Sequence, residues 1–444
     1  MLGGLTGLLL LLAPPVCGPI DLDAAMALSL EYSDELAIRR AEVAVARTDL
    51  ALAQALRIVP NASATVIAGP TPEARGNVVN SPDSSRSLDG LGPFGRIDVQ
   101  VVQPLFTWGR LDAASEAASA GVEARTDMVR DTASLVQLRV VQLYWGAALA
   151  RQLLGIAAEV KKSLATAGKR ITESLEKADG TVLLSDRYRI DLFRAVLEAR
   201  EADAQNGLDQ ARIGLAAIIG LDPQTLVLKD EPLSETGGAL PAEAAALAYA
   251  ESQRPDLQAL DAAIAARGAE VKAAEAEMLP QFFAGGFFTF GYAPNRDIQT
   301  NPWVRDDVNI LAGGVVVGFR QDLAFPMLVA KVRQARAARE TLQRQRDGLS
   351  RLVQVQVDGA LAENAAARAR HVAANAALGS GRALFRSSTL DFAGGLIEAR
   401  TLIEAYGLYV ESQVAAARAL YDLIVARAKL YQVLGEPPRK GKPC

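Results

Sequence analysis

The chain is poor in the side chains from which most catalytic and metal centres are built. Its 444 residues include one histidine, His371, and two cysteines, Cys17 and Cys444, at opposite ends of the sequence. A histidine-based metal site or catalytic dyad is therefore nearly excluded, and the two cysteines form neither a disulfide framework nor a CxxC motif. No convergent set of acid, base and nucleophile is visible. We expect no enzyme activity, no cofactor and no metal site.

Aromatic residues are also scarce, at 5% of the chain, although 50% of the residues are hydrophobic. Alanine supplies much of the difference, and alanine favours helices and lets them approach closely. The net charge is −4 and the pI is about 5.4. A nucleic-acid-binding protein would usually be basic, so no nucleic-acid partner is expected.

Long apolar runs are missing as well. Residues 1–18 read as an export signal with an apolar stretch at Leu8–Leu12, although the first basic residue is Arg39 and the usual positive start is absent. Lipidation of Cys17 is the weaker alternative, because Pro14–Val16 before it make a poor lipidation motif. No other run reaches the roughly 18 residues of a membrane helix. If this chain crosses a bilayer, strands must do it.

Proline is absent from two long stretches, which favours long helices. None occurs between Pro104 and Pro223, and Arg110 to Lys177 shows one continuous helical pattern that would span about 100 Å. A helix of this length is typical of a coiled coil or of a tube built from helices.

An internal repeat organises the chain. Lys177–Gly220 recurs without a gap as Phe392–Gly435, and the repeat predicts two helical hairpins that turn at Gly180 and Gly395. The identical pairs are Gly180/Gly395, Ala204/Ala419, Leu208/Leu423, Ala211/Ala426, Arg212/Arg427, Leu215/Leu430 and Gly220/Gly435. The apolar pairs recur at three- and four-residue spacing, which indicates a helix–helix seam.

Each half reads helix, strand, loop, strand, long helix, turn, long helix. Helices are predicted over Asp23–Ile58 and Ala242–Leu279, and Pro60 and Pro280 end them. The predicted strands and loops are Asn61–Ala68 (strand), Gly69–Gly95 (loop), Arg96–Gln103 (strand, followed by a turn from Pro104 to Gly109), Gln281–Tyr292 (strand), Ala293–Asp307 (loop) and Val308–Phe319 (strand). Two structural repeats are expected, 19–222 and 242–435, joined by a linker at 223–241, with a disordered tail at 436–444.

In this order and in duplicate, several short motifs resemble the outer-membrane efflux proteins, the TolC-like channel-tunnels. The motifs are Gln103-Pro104-Leu105-Phe106 with Gly109-Arg110, Arg254-Pro255-Asp256-Leu257, the prolines at 60 and 280, and the two hairpin glycines. The first half departs from the pattern with Ser33-Asp34-Glu35-Leu36, and the turn of the second half with Ala324-Phe325-Pro326. The resemblance covers roughly Asp23 to Gly435.

The resemblance implies a mainly α protomer with a small β part, assembled as a homotrimer. Four strands per protomer would build a twelve-stranded β-barrel in the outer membrane, and the long helices would form an α-helical barrel extending into the periplasm. The number of predicted strands independently favours an oligomer, because a membrane barrel needs at least about eight strands and one chain has only four. The expected partners are outer-membrane lipid, a periplasmic adaptor (membrane fusion) protein and an inner-membrane transporter.

The implied function is a passive export duct in a tripartite efflux pump or a type I secretion system. The alternative is a soluble or periplasmic long coiled-coil scaffold, against which the alternating strands and the export signal speak. The loops between the strands of each half are expected to face the cell exterior.

The resemblance also implies an entrance at the hairpin turns. Asp186 and Glu404 take the places of entrance carboxylates, Thr401 stands where the family can have a further aspartate, and Phe392 stands at a tyrosine position. Arg400 is a candidate ion-pair partner that holds the entrance closed. The alternative is that both carboxylates are ordinary solvated helix residues.

Overall fold

The fold is described from a computed structural model over residues 18–76, 85–177, 183–234, 243–299, 301, 303 and 306–436. The export signal up to Cys17, Gly180 and the tail beyond Glu436 lie outside these residues. The elements in chain order are α1 (Leu22–Tyr32), α2 (Asp34–Ile58), β1 (Asn61–Arg75), β2 (Ser85–Phe106), α3 (Arg110–Lys177), α4 (Leu184–Ile219), α5 (Glu243–Gln253), α6 (Pro255–Glu277), β3 (Gln281–Tyr292), β4 (Ile310–Arg320), α7 (Phe325–Ala393) and α8 (Ala399–Val433).

The order of elements in the first half repeats in the second. Two helices, two strands and two further helices run from α1 to α4 and again from α5 to α8. The bounds predicted for α3 and β3 are confirmed. The predicted glycine stops are confirmed too, since Gly220 and Gly435 follow α4 and α8 with φ values of 70° and 83°. Glycine reaches this left-handed region without the steric cost of a Cβ, which is why it ends helices.

The single helices predicted at the start of each half are wrong, because each is two helices. The breaks fall at Ser33, which is extended with ψ 124°, and at Arg254, which precedes Pro255. A residue before proline avoids the helical region, and proline suits the first position of a new helix. Neither half therefore continues as one helix past this point, although only the second half carries a proline there.

The buried Arg254 side chain holds its break in place. It donates to Asp256 Oδ2 at 2.6 Å, to Gln356 Oε1 at 2.7 Å and to the Val433 carbonyl at 3.3 Å. These bonds tie the start of α6 to α7 and to the end of α8. The Arg-Pro-Asp-Leu motif is thus a structural joint.

The strands are longer than predicted, and most of the predicted loop Gly69–Gly95 is strand. β1 continues through Pro70 and Pro72, and β2 includes Pro93 and reaches Phe106. Pro70 lies opposite Pro93, and the pairing of β2 with β3 begins only at Gly95. Proline is accepted in a strand where its missing N–H faces away from a partner strand, so these prolines did not stop the sheet. β4 differs less, beginning two residues later than predicted.

The described residues form two compact units, and each draws on both halves of the repeat. The helical unit takes its residues from 1–42, 126–259 and 346–444, and the sheet unit from 43–125 and 260–345. The helical unit has several apolar clusters. One packs Trp145 and Tyr144 of α3 against Leu215 and Ile219 of α4. No helix in the described part of the chain combines the length and the apolar character that a membrane span requires.

The sheet is antiparallel in the order β1-β2-β3-β4, and its two faces differ. One row across all four strands runs Val66, Ile97, Phe290 and Leu311, with 71%, 40%, 43% and 75% of their surfaces exposed. Directly opposed residues share a face. We call this the apolar face. Its other large exposed side chains are Phe282, Phe288, Tyr292, Val315, Val317 and Phe319.

The second face of the sheet is mixed. There Asp98 accepts two bonds from Arg96, both at 2.8 Å, and one from the Thr289 hydroxyl at 2.9 Å. Thr65 lies opposite Asp98 on β1. In this part of the sheet, the charged and hydroxyl groups thus lie on the face opposite the row of apolar residues.

Candidate functional site at the hairpin ends

The turn of the second hairpin is built around Gly395. The chain leaves α7 at Ala393 and enters α8 at Ala399, and Gly395 has φ 73°. The Leu396 N–H donates to the Asp391 carbonyl at 2.9 Å, and the Gly395 N–H to the Phe392 carbonyl at 3.0 Å. These bonds satisfy carbonyls at the end of α7, which is how a glycine in this conformation closes a helix.

Asp186, in the first turn of α4, is buried, with 5% of its surface exposed. Its carboxylate accepts the Leu183 N–H at 3.0 Å and an Arg189 guanidinium N–H at 2.9 Å. A carboxylate at this place satisfies a free backbone donor and meets the positive end of the helix dipole. In the single chain Asp186 therefore stabilises the start of α4.

Glu404 is different, because it lies exposed on α8. It accepts a hydrogen bond from Arg400 Nε at 2.9 Å, and both side chains are 59% exposed. The Glu404 hydrogen bond raises the pKa of Arg400, with Asp186 among the smaller charge effects. Thr401 is exposed on the same first turn, where its N–H donates to the Glu398 carbonyl at 3.1 Å.

Phe392 lies in a feature that the sequence did not predict, an apolar groove of 620 Å³ lined by α3, α4, α7 and α8. We call it the hairpin groove. The centre of the Phe385 ring lies 4.9 Å from the centre of the Tyr406 ring, and Phe385 stacks on Tyr409 with 5.7 Å between the ring centres. Aromatic residues are few in this chain, so their concentration around the second hairpin was a signal available in the sequence.

No group of three or more His, Cys, Asp or Glu side chains that could hold a metal ion occurs among the described residues. The charged groups that the structure places at the hairpin ends are carboxylates and guanidinium groups on helix surfaces. Such groups act on passing ions through their charge and spacing.

The match to a family of known proteins lies in the second half of the chain. Residues 246–436 match the outer membrane efflux protein family. The resemblance seen in the sequence motifs is therefore confirmed.

Two curated relatives agree with this match. The pyoverdine export outer membrane protein OpmQ of Pseudomonas aeruginosa is 25% identical over 303 residues, which are 66% of this chain and 61% of OpmQ. The protein CyaE of Bordetella pertussis is 32% identical over 206 residues, 44% of this chain and 42% of CyaE. The matched regions thus span less than two thirds of either relative.

The fold is that of outer-membrane channels. The MtrE outer membrane channel of Neisseria gonorrhoeae, solved in its open state, superposes with a TM-score of 0.76 at 19% identity, covering 95% of this chain and 91% of MtrE. The expected class, mainly helical with a small antiparallel sheet, is confirmed. The roles of Asp186, Glu404, Thr401, Phe392, Arg400 and Gly395 stay predictions.

Proposed function

We propose that this protein is the outer-membrane channel of a tripartite efflux pump or type I secretion system. It would act as a passive duct that carries out no chemistry. The observation that carries the proposal is the apolar face of the sheet. Contiguous exposed apolar surface of this extent is rare on proteins that remain in water and marks a surface that meets lipid or a partner.

The dimensions of the apolar face suit lipid. Aromatic side chains lie at both of its ends, with Phe282 paired to Phe319 near one and Phe290 with Tyr292 near the other. Phe282 and Tyr292 lie ten positions apart on β3, which is about 33 Å along a strand and about 25 Å in height for a strand tilted by about 40°. Sheets that span the outer membrane carry an apolar band about 25 Å tall between two aromatic girdles.

Three copies of the chain would complete the structure. The sheet has four strands, and among the described residues its outer strands β1 and β4 pair with no second strand, apart from one isolated bridge between Ala74 and Arg296. Unpaired strand edges are not tolerated in lipid. A homotrimer that joins β4 of one copy to β1 of the next would give a closed sheet of twelve strands. The mixed face with Arg96 and Asp98 would then line its interior.

The remaining partners follow from the family. A periplasmic adaptor and an inner-membrane transporter would deliver the cargo to the hairpin ends, where Asp186, Glu404 and Arg400 would form the entrance. A long coiled-coil scaffold is the second candidate, and it leaves the apolar face of the sheet without a purpose.

Two neighbouring valines of β4 test the proposal. Val315 lies on the apolar face and is 85% exposed, whereas Val316 lies on the other face. An arginine on the lipid side costs about 2–4 kcal/mol at mid-membrane and little in the lumen. We expect Val315→Arg to reduce the amount of trimer in the outer-membrane fraction several-fold, and Val316→Arg to leave it near the parent level.

The readout is heat-modifiable trimer on gels of fractionated membranes. Equal effects of the two substitutions would show that lipid does not cover the apolar face. A parent protein found outside the outer-membrane fraction would refute the channel assignment altogether.

A further inference from the structure

The hairpin groove has the size and lining of a ligand site. Its volume of 620 Å³ falls within the range of about 300–1,000 Å³ found for small-molecule sites, which are mostly apolar with a few polar groups. It is lined by α8, with Leu402, Ile403 and Tyr406, and by residues of α3, α4 and the end of α7.

Aromatic rings form one part of the groove. Phe385, Phe392, Phe193 and Tyr406 all line it. Burial raises the pKa of the Tyr406 hydroxyl, which bonds the Ser163 side chain, so this phenol stays neutral. Flat apolar surfaces of this kind bind aromatic or conjugated molecules through offset stacking and edge contacts.

The charge of the groove has one sign. Lys162 and Arg170, both on α3, are the charged residues among those that line it. Neither forms an ion pair with any residue that the structure describes. They lie eight positions apart on one helix, about 12 Å along its axis. The carboxylate of Glu159, one turn before Lys162 on α3, also acts on Tyr406, but it does not line the groove. Two lining cations that form no ion pair, beside an apolar cavity, favour an anionic ligand over a neutral or cationic one.

We propose that the hairpin groove binds an amphipathic organic anion with an aromatic body. The body lies against Phe385, Phe392 and Tyr406, and the carboxylate or sulfonate group is held by Arg170 or Lys162. The groove lies at the second hairpin and includes the candidate entrance residue Phe392, and the proposal concerns binding there and not conduction.

Two related dyes test the proposal on the purified full-length protein. Anilinonaphthalene sulfonate is an aromatic anion, and N-phenylnaphthylamine is its neutral counterpart without the sulfonate. A tryptophan placed by Phe392→Trp reports local binding by energy transfer to either dye, above the detergent background common to all variants. We expect the anion to bind more tightly than the neutral dye.

Charge reversal gives the matched comparison. Arg170→Glu, alone and with Lys162→Glu, should weaken binding of the anionic dye at least tenfold, which corresponds to 1.4 kcal/mol. Binding of the neutral dye should stay within about twofold of the parent value. Lys169→Glu is the control, because Lys169 is the next residue on the same helix and does not line the groove. It should change neither dye.

A second variant tests the cavity itself. Ala399→Phe places a large ring in the groove and should abolish local binding of both dyes while the helical circular dichroism stays unchanged. Anion binding that survives both Ala399→Phe and the double charge reversal would overturn the proposal. So would equal losses from Arg170→Glu and Lys169→Glu.

Discussion

The two hairpins start their returning helices with the same kind of charge used in opposite ways. On α4 the carboxylate of Asp186 is buried and bonded to Leu183 and Arg189, whereas on α8 the carboxylate of Glu404 is exposed and bonded to Arg400 alone. The acid of α4 therefore stabilises the start of its own helix, whereas the acid of α8 lies on the surface in an ion pair with Arg400.

The largest expected effect is from Asp186→Ala. It removes the acceptor of the Leu183 N–H and a buried ion pair, which together should destabilise the start of α4 by about 1–2 kcal/mol. Hydrogen exchange of the amides over 183–190 should accelerate roughly tenfold or more. Asp186→Asn keeps an acceptor and should lose less. If the amides over 183–190 exchange at the same rate in the alanine and asparagine variants, the bond to Leu183 does not stabilise the helix.

Gly395→Ala should come next. A side chain in the left-handed region costs about 1–2 kcal/mol, so the melting temperature of the hairpin should fall. The neighbour Gly394 is the control, because a Cβ there would meet other atoms only at 3.6 Å or beyond. Gly394→Ala should melt near the parent value. Equal shifts for the two glycines would show that the turn does not need a left-handed residue.

Asp131 on α3 gives a pH-dependent test within the helical unit. Burial raises its pKa, and the charge of Asp256 adds to this, while Arg254 and Arg39 oppose it. A carboxyl whose pKa is raised by folding weakens the fold once the pH exceeds its unfolded value, and that penalty disappears below it. Asp131→Asn should therefore raise the thermal midpoint at pH 7 and have less effect at pH 4. A larger rise of the thermal midpoint at pH 4 than at pH 7 would mean that folding lowers the pKa of Asp131.

Arg400→Ala should have the smallest effect on stability. The Arg400–Glu404 pair is exposed, and such pairs contribute at most about 1 kcal/mol and often nothing. Thermal unfolding monitored by circular dichroism should stay within a degree or so of the parent. A drop as large as that from Asp186→Ala would mean that the two hairpin ends are not different after all.

The sequence predicted the parts of the fold that depend on local pattern. The long proline-free run from Arg110 gave the full length of α3, and alternation gave β3. The strand prolines misled because their tolerance depends on whether a partner strand faces the missing N–H, which is set by the sheet and not by the local sequence. The break at Ser33 has no proline, so only its counterpart at Arg254 could have indicated it.

The candidate site was predictable in position but not in environment. Spacing from the hairpin glycines predicted Asp186 and Glu404 about two turns up the returning helices, but Asp186 lies in the first turn of α4 and Glu404 in the second turn of α8. The burial of Asp186 depends on Leu183 preceding α4 in extended conformation, with no side-chain cap of its own. Leucine is a poor capping residue, so nothing in the local pattern indicated that the aspartate three positions later would take over this role.

Single-channel recording in planar bilayers tests the central claim most directly. The account predicts stepwise conductance from the parent trimer, cation preference, and block by a trivalent cation, because three acidic side chains around one axis concentrate negative potential. In the Glu404→Ala variant, the trivalent cation should block the conductance much less. In the double variant Asp186→Asn with Glu404→Ala, both the block and the cation preference should disappear. A parent that gives no conductance steps would contradict the channel assignment, and a double variant that blocks like the parent would show that these carboxylates do not line the entrance.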